Sequence, residues 1–492
     1  MDRQIRRLGA GLLVLFLALF AQVNYIQVIR ADDLANNPGN GKRLLIAEYD
    51  VQRGAILARD KRTVLARSRP TEGEFRFLRV YPHGPRYGQI TGFYSIASGR
   101  SDLELTFNDY LSGRAGELAP QRLVDEILGR PKRGGTVVTT IDARLQEAAE
   151  QALGNRRGAV AAIDPRTGEV LALVSNPSFD PNPLATHDID AARQAYLDLE
   201  GQSPTPLRSN AYQQLFFPGS TFKLVTAAAA LENGIRPDTS FPNPPTLDLP
   251  QTDRTLQNFG GGHCLGGVAR ITLAQAFQIS CNVTFAEIGL QLGADRLLAQ
   301  AGAFGWNGSL PFDAEFSEGL FPPESVGPDR LPAVAFSAIG QQDVRANPMQ
   351  MALVAGSIAN GGVMMRPRLV REILDPSGRV IRSFGPDEIG RPVSPQTAAE
   401  LTAMMVSVVE GGTGSAAAIP GVRVAGKTGT AQAAEGQAPH AWFVSFAPAD
   451  SPQIAVAVVV LDGGDLGSEA TGGAVAAPIA KQVIEAALGG GA

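Results

Sequence analysis

The stretch Phe217-Pro-Gly-Ser-Thr-Phe-Lys-Leu-Val-Thr-Ala-Ala-Ala-Ala-Leu231 decides how this chain is read. Pro218 and Gly219 break any preceding element, and the alanine-rich run after them, closing on Asn233-Gly234, predicts a helix that opens at Ser220. A serine at a helix start is first of all an N-cap. Lys223 adds a second reading, because side chains at i and i+3 share a helix face and an amine there reaches the hydroxyl. Serine is a weak nucleophile at its own pKa, and a lysine kept neutral by burial or by a neighbouring cation serves as its base. The helix N-terminus also favours negative charge developing beside the serine.

Downstream, Thr272 and Gln275 fit a capping box opening a helix toward Ser280, and 348–358 predicts another apolar helix. The chain closes with strand-like runs at 422–432, 442–447 and 454–461 and a helix over 474–488. Upstream, 136–141 is β-rich and Asp142 is a candidate N-cap for a helix over 143–153. The runs 159–164 and 169–175 flank a Pro165-Arg-Thr-Gly168 turn as a hairpin. Strands at both ends with helices between them predict one α/β domain whose first and last segments share a sheet. From 30 to about 133 the pattern is mixed, with strand-like pieces at 44–51, 75–81 and 103–107.

Arg3, Arg6 and Arg7 precede an apolar run over 8–21 that fades by Ile29. Such a start fits a cleaved signal peptide or a single membrane anchor. No A-x-A site follows the run, and extended to Ile29 it reaches bilayer length, so an uncleaved anchor over 8–29 is expected, with 1–7 cytoplasmic and the remainder outside. One span excludes a channel or transporter. The 492 residues have room for two or three domains, and 44% hydrophobic against 18% charged residues reads as globular rather than disordered. A net charge of -5 gives no footprint for nucleic acid. His83, His187, His263 and His440 lack ligand spacing, so neither a metal nor a cofactor is proposed. Cys264 and Cys281 lie close in sequence and, with this topology, in an oxidising compartment. They are a candidate disulfide contributing about 3 kcal/mol, with two free thiols as the alternative.

Three short motifs carry chemistry: Ser220-Thr-Phe-Lys223, Ser280-Cys-Asn282 and Lys427-Thr-Gly429-Thr430. Each alone is weak. In this order, with these intervals, they resemble the active-site motifs of penicillin-binding transpeptidases and serine β-lactamases. The resemblance implies Lys223 as base for Ser220, Ser280 as the hydroxyl that passes a proton to the departing amine, Asn282 as the amide orienting substrate and lysine, and Lys427 as a cation beside the site. It also implies that Thr428 and Thr430 hydrogen-bond the carboxylate of a terminal D-alanine or a β-lactam, and that the backbone N–H groups of Ser220 and Thr430 form an oxyanion hole. Gly429 is read as letting a ligand approach the strand edge closely.

The match then widens. Arg53-Gly-Ala-Ile-Leu-Ala-Arg59 resembles the R-G-x-I-x-x-R box of class B penicillin-binding proteins, and Ser101-Asp-Leu-Glu-Leu-Thr-Phe-Asn-Asp-Tyr-Leu-Ser-Gly113 a pedestal motif. Ile163-Asp-Pro-Arg-Thr-Gly-Glu-Val-Leu-Ala-Leu-Val-Ser-Asn176, Ile339-Gly-Gln341 and Glu410-Gly-Gly-Thr-Gly414 resemble transpeptidase signatures. Ala58 stands where the family often has an acid, and Asn347 where it more often has Thr or Ser. The whole is most similar to the actinobacterial penicillin-binding protein A type. That resemblance implies a mixed α+β pedestal of the dimerisation type over 30–150. Over 151–492 it implies an α/β (α+β) transpeptidase domain, β-lactamase-like, with an antiparallel sheet flanked by helices. The implied activity is monofunctional D,D-transpeptidation of peptidoglycan stem peptides, blocked by β-lactam antibiotics. The implied partners are a SEDS-type glycan polymerase and the membrane proteins of division or elongation.

Rival readings remain. Gly421-Val-Arg-Val-Ala-Gly-Lys-Thr428 matches G-x-x-x-x-G-K-[ST] letter by letter, with Asp462 as the acid of a P-loop ATPase, although Ile419-Pro420 is a poor strand end and Gly429 a poor helix start. A β-lactamase or D,D-carboxypeptidase shares the serine chemistry. A scaffold with a vestigial site is the reading from another class.

Overall fold

In the computed structural model, which describes residues 2–30, 48–432 and 436–489, the predicted sheet closes from distant parts of the chain. Its five strands run in the order Ala425–Ala431, His440–Ala447, Ile454–Val460, Gly158–Ile163, Val170–Asn176, every pair antiparallel. Along Ile454–Val460, Ala455, Ala457 and Val459 enter one hydrophobic core, while Val456, Val458 and Val460 enter another. Burial on both faces is why this stretch is apolar without alternation. Helix Pro348–Ala359 packs on the first face, and helices Ala143–Leu153 and Ala477–Gly489 cover the second.

Local chemistry sets these elements where the sequence placed them. Asp142 accepts hydrogen bonds from the N–H groups of Arg144 and Leu145, 3.0 and 3.2 Å away. Thr272 and Gln275 complete their capping box. Asn347 Oδ1 accepts from Gln350 N at 2.8 Å, so the amide does at a helix start what Thr or Ser would do.

A second sheet has six strands in the order Val380–Ser383, Val370–Leu374, Thr136–Thr139, Ile56–Leu57, Val64–Pro70, Phe77–Val80. Its first two strands arrive from late in the chain, so pedestal and catalytic segments are interleaved rather than laid end to end. One strand expectation fails here, and a second is tested only in part. The piece at 103–107 is helical, Asp102–Thr106, because Leu103, Phe107 and Leu111 at i, i+4 and i+8 are the buried positions while Leu105 is exposed. Of the piece at 44–51, residues 44–47 lie outside the described residues and the chain from Glu48 is a helical turn.

The helical phase of this segment aims Glu104 inward. It is fully buried between Arg53 Nε, 2.6 Å from Oε2, and Arg79 Nε, 2.5 Å from Oε1. Burial alone raises a carboxyl; Arg79 and Arg53 outweigh it and hold Glu104 below its ordinary value. Arg59 lies 3.7 Å from Glu169, whose carboxylate also meets Arg368 at 3.3 Å, tying the pedestal sheet to the hairpin of the main sheet. At the N-terminus, Arg3–Ile29 is helical, exposed along its apolar side chains, and long enough to cross a membrane.

Candidate active site

Ser220 stands in a 3₁₀ turn, Gly219–Phe222, ahead of helix Lys223–Glu232, one turn tighter than the helix predicted to open at the serine. The turn is held by its neighbours. Gly219, at φ +52, donates to Gly340 O at 2.9 Å, and Gly340 sits at φ +75 where a Cβ would lie 2.0 Å from Gly219 O. Ser220 makes no capping bond, so the N-cap reading does not hold.

Behind it the two lysines are wholly buried. Lys223 Nζ donates to Ser280 O and to Asn282 Oδ1, both at 2.7 Å, and lies 3.4 Å from Ser280 Oγ. Lys427 Nζ donates to Ser280 Oγ at 2.8 Å and to Thr428 O at 3.0 Å. No carboxylate pairs with either lysine among the described residues, and the rings of Phe285 and Phe277 lie 5.5 and 5.6 Å from their amines. Burial, and then the neighbouring Lys427, push Lys223 well below its ordinary value. Burial alone brings Lys427 to about 7. Two hydrogen bonds to carbonyl oxygens account for both N–H groups of a neutral Lys223 and leave its lone pair free. Ser280 adopts φ +62, a left-handed turn that costs a non-glycine residue about 1–3 kcal/mol and presents its carbonyl and hydroxyl together to the lysines.

The cleft in front, about 780 Å³, is lined by Ser220, Ser280, Asn282 and Thr428, Gly429 and Thr430 of the sheet's edge strand. All eight site residues expected from the sequence therefore converge, with Ser280, Asn282 and Thr428 bonded to the two buried amines. Gly429 has a further reason besides the one expected: a Cβ there would lie 2.8 Å from Thr221 Cγ2 and 3.0 Å from Pro218 O. It lets the edge strand approach the serine turn, and Gly429 also lines the cleft, where close approach of a ligand was expected.

Sequence reasoning missed two residues. Thr413, inside the Glu410 to Gly414 signature but without an assigned role, places its hydroxyl 2.6 Å from that of Thr428. Asn258 carries no sequence signal. Its Oδ1 accepts from the N–H groups of Asn282 and Val283 at 2.9 and 3.0 Å, capping helix Asn282–Leu292 from across the cleft. Beside it Cys264 and Cys281 are joined by a disulfide, with Cα atoms 6.0 Å apart. Cys281 is the middle residue of the second motif, so this covalent link fixes the cleft's far wall to it.

The P-loop reading fails on geometry. Lys427 and Thr428 lie within strand Ala425–Ala431, whereas a phosphate-binding loop has its lysine at a helix N-terminus.

Residues 158–485 match the family model of the penicillin-binding protein transpeptidase domain, and 53–137 that of the penicillin-binding protein A dimerisation domain. The chain is 44% identical to the peptidoglycan D,D-transpeptidase PbpA of Mycolicibacterium smegmatis, over 99% of both chains. It is 42% identical to PbpA of Mycobacterium tuberculosis over 100% of both. It superimposes with a TM-score of 0.85 on the ceftriaxone acyl-enzyme complex of penicillin-binding protein A from M. tuberculosis, 43% identical, covering 90% of this chain and 100% of that one. With its motifs gathered around one cleft and relatives matching end to end, the chain belongs to the penicillin-binding transpeptidases, in the penicillin-binding protein A group.

Proposed function

We propose that this chain is a serine D,D-transpeptidase that cross-links peptidoglycan stem peptides through an acyl-enzyme on Ser220 and is blocked there by β-lactams. The observation that carries this is the pair of buried lysines, pushed toward neutrality, behind a serine that opens on the cleft. Ser220 Oγ attacks the penultimate D-Ala carbonyl and its proton passes to Lys223, a general-base step that contributes about 10²- to 10⁴-fold. Backbone N–H groups of Ser220 and Thr430 stabilise the oxyanion. The C–N bond to the terminal D-Ala breaks as Ser280, 3.4 Å from Lys223, relays the proton held by Lys223 to the leaving nitrogen. An amine of a second stem then attacks the ester, and the serine oxygen recovers its proton. Asn282 orients Lys223, Lys427 adjusts Ser280, and Thr428 and Thr430 hold the substrate carboxylate.

The same reading places 1–7 in the cytoplasm, 8–29 in the plasma membrane and the catalytic cleft outside, following the basic residues that precede the span. It divides the chain into a pedestal over 30–150, whose sheet takes in Val370–Leu374 and Val380–Ser383 and whose last helix, from Ala143, packs on the main sheet, and a transpeptidase domain over the rest of 151–492. It pairs the anchor with a SEDS-type polymerase of division or elongation. Fluorescent penicillin tests the core of it. A stable adduct on the full chain that disappears in Ser220→Ala is expected. No adduct on folded protein overturns the assignment, and an adduct that clears within seconds makes the chain a β-lactamase.

A further inference from the structure

Helix Ala119–Ile127 in the pedestal is amphipathic with its faces inverted. The buried position is Asp125, 4% exposed, whereas Leu123, Ile127 and Leu128 are 60%, 75% and 55% exposed. At 3.6 residues per turn Leu123, Ile127, Val124 and Leu128 span an arc of about 140°. Asp125 faces inward to Gln121, Arg130 and Arg133. An apolar arc this wide on a water-facing helix marks a contact surface.

Charge and chain length say what covers it. Along the arc's edge at Leu123 runs a groove of about 730 Å³ lined by Arg114, Arg122, Lys132 and Arg133 against Glu48 and Glu126. Arg122 and Lys132 form no ion pair among the described residues, while Glu48 is bound to Arg100 and Tyr94. Residues 114–133 hold five cations and three acids in a chain whose net charge is -5, so this face is a positive island. The chain leaves its membrane-crossing stretch at Ile29 and lines this groove at Glu48, so full extension of the intervening chain keeps the groove within about 65 Å of the bilayer. Exposed leucine and isoleucine beside unpaired cations is the pattern of a helix lying in a headgroup layer.

We propose that this face docks on the anionic surface of the bilayer that holds the chain's own anchor, with Leu123, Ile127 and Leu128 entering the headgroup layer and Arg122 and Lys132 meeting lipid phosphates. Docking fixes the orientation of the pedestal, and with it the cleft, relative to the membrane. The proposal rests on Arg3–Ile29 crossing the bilayer, which is checked separately by retention of the full chain in nanodiscs.

Both native tryptophans, Trp306 and Trp442, are buried, so an added one reports cleanly. The full chain carrying Ile127→Trp, retained in anionic nanodiscs, should lose about half its added emission when brominated acyl chains are introduced. A control at the exposed Leu466→Trp should not respond. Arg122→Glu with Lys132→Glu, or zwitterionic lipid, should abolish the quenching while thermal unfolding stays unchanged. Absence of quenching in anionic nanodiscs overturns the proposal, as does equal quenching in zwitterionic ones. Shielding of the introduced indole only when a second membrane protein is present also overturns it and assigns the face to that protein.

Discussion

The Lys223 amine lies 2.7 Å from Asn282 Oδ1, and no hydrogen bond joins it to the Ser220 hydroxyl three residues away. At rest Lys223, the proposed base, is thus oriented by the second motif and not by Ser220, its proposed nucleophile. Catalytic hydrogen bonds often tighten only when substrate is bound. What the base needs is a free lone pair. Lys223→Arg keeps the reach of the side chain but puts a permanent cation where a neutral amine is needed, one that cannot give up its proton. Acylation by penicillin should fall about 10²- to 10⁴-fold in this variant. In the parent the rate should drop as the medium is acidified and Lys223 takes up a proton. A pH-independent acylation rate, or near-parent activity in the arginine variant, would mean that Lys223 is not the base.

Thr413 acts on the site through Thr428. With the two hydroxyls 2.6 Å apart, one donates to the other; with Thr413 as donor, the Thr428 proton is left to donate to a substrate carboxylate at the cleft wall. Thr413→Val should therefore slow acylation by a carboxylate-bearing β-lactam about tenfold, the worth of roughly one hydrogen bond, and Thr413→Ser should restore it. The loss should appear in the apparent binding constant rather than in the limiting acylation rate. An equal loss with an ester substrate that lacks the carboxylate would assign Thr413 a purely structural part.

Much of this was legible beforehand for a physical reason. The helix 143–153, the hairpin and the three closing strands announce themselves through local caps, turns and unbroken apolar runs, all short-range signals. The three motifs are visible because the chemistry demands particular residue types. The meeting of Arg53 with Glu104, the return of 370–383 to the pedestal sheet, and Asn258 reaching Asn282 are long-range facts with no local trace. The segment 103–107 misled because Leu103, Leu105 and Phe107 imitate strand alternation; burial of Leu111 decides for the helix.

Cys281 lies between Ser280 and Asn282, both of which touch Lys223, so the bridge to Cys264 is expected to bear on acylation as well as on stability. Replacing both cysteines by serine should lower the unfolding free energy by about 3 kcal/mol, from the freed unfolded chain. It should also slow acylation, because the wall carrying Asn258 is then tied to the second motif by hydrogen bonds alone. Denaturant melts and penicillin acylation rates measure the two effects independently. Unchanged acylation in a destabilised variant would confine the disulfide to stability.

Asp102 and Tyr212 join the pedestal to the segment that leads into Ser220, and their proton count is unusual. The Tyr212 hydroxyl lies 2.7 Å from Gln89 O and 2.7 Å from Asp102 Oδ1, two acceptors for one proton. A protonated Asp102 completes the set by donating to Tyr212 while Tyr212 donates to Gln89. Burial raises Asp102 from 3.8 to about 6, with the Tyr212 and Ser101 hydroxyls opposing and Glu315 adding to the rise. Since the folded value is the higher one, the stabilisation is complete below about pH 3.8, declines as pH rises toward 6, and is absent above it. Across that window it amounts to about 3 kcal/mol. Asp102→Asn cannot ionise, so the variant should match the parent near pH 4 and exceed it in unfolding free energy by up to that amount near pH 7. Parallel urea-unfolding profiles for the two proteins from pH 4 to 7.5 would show that Asp102 does not titrate within the fold.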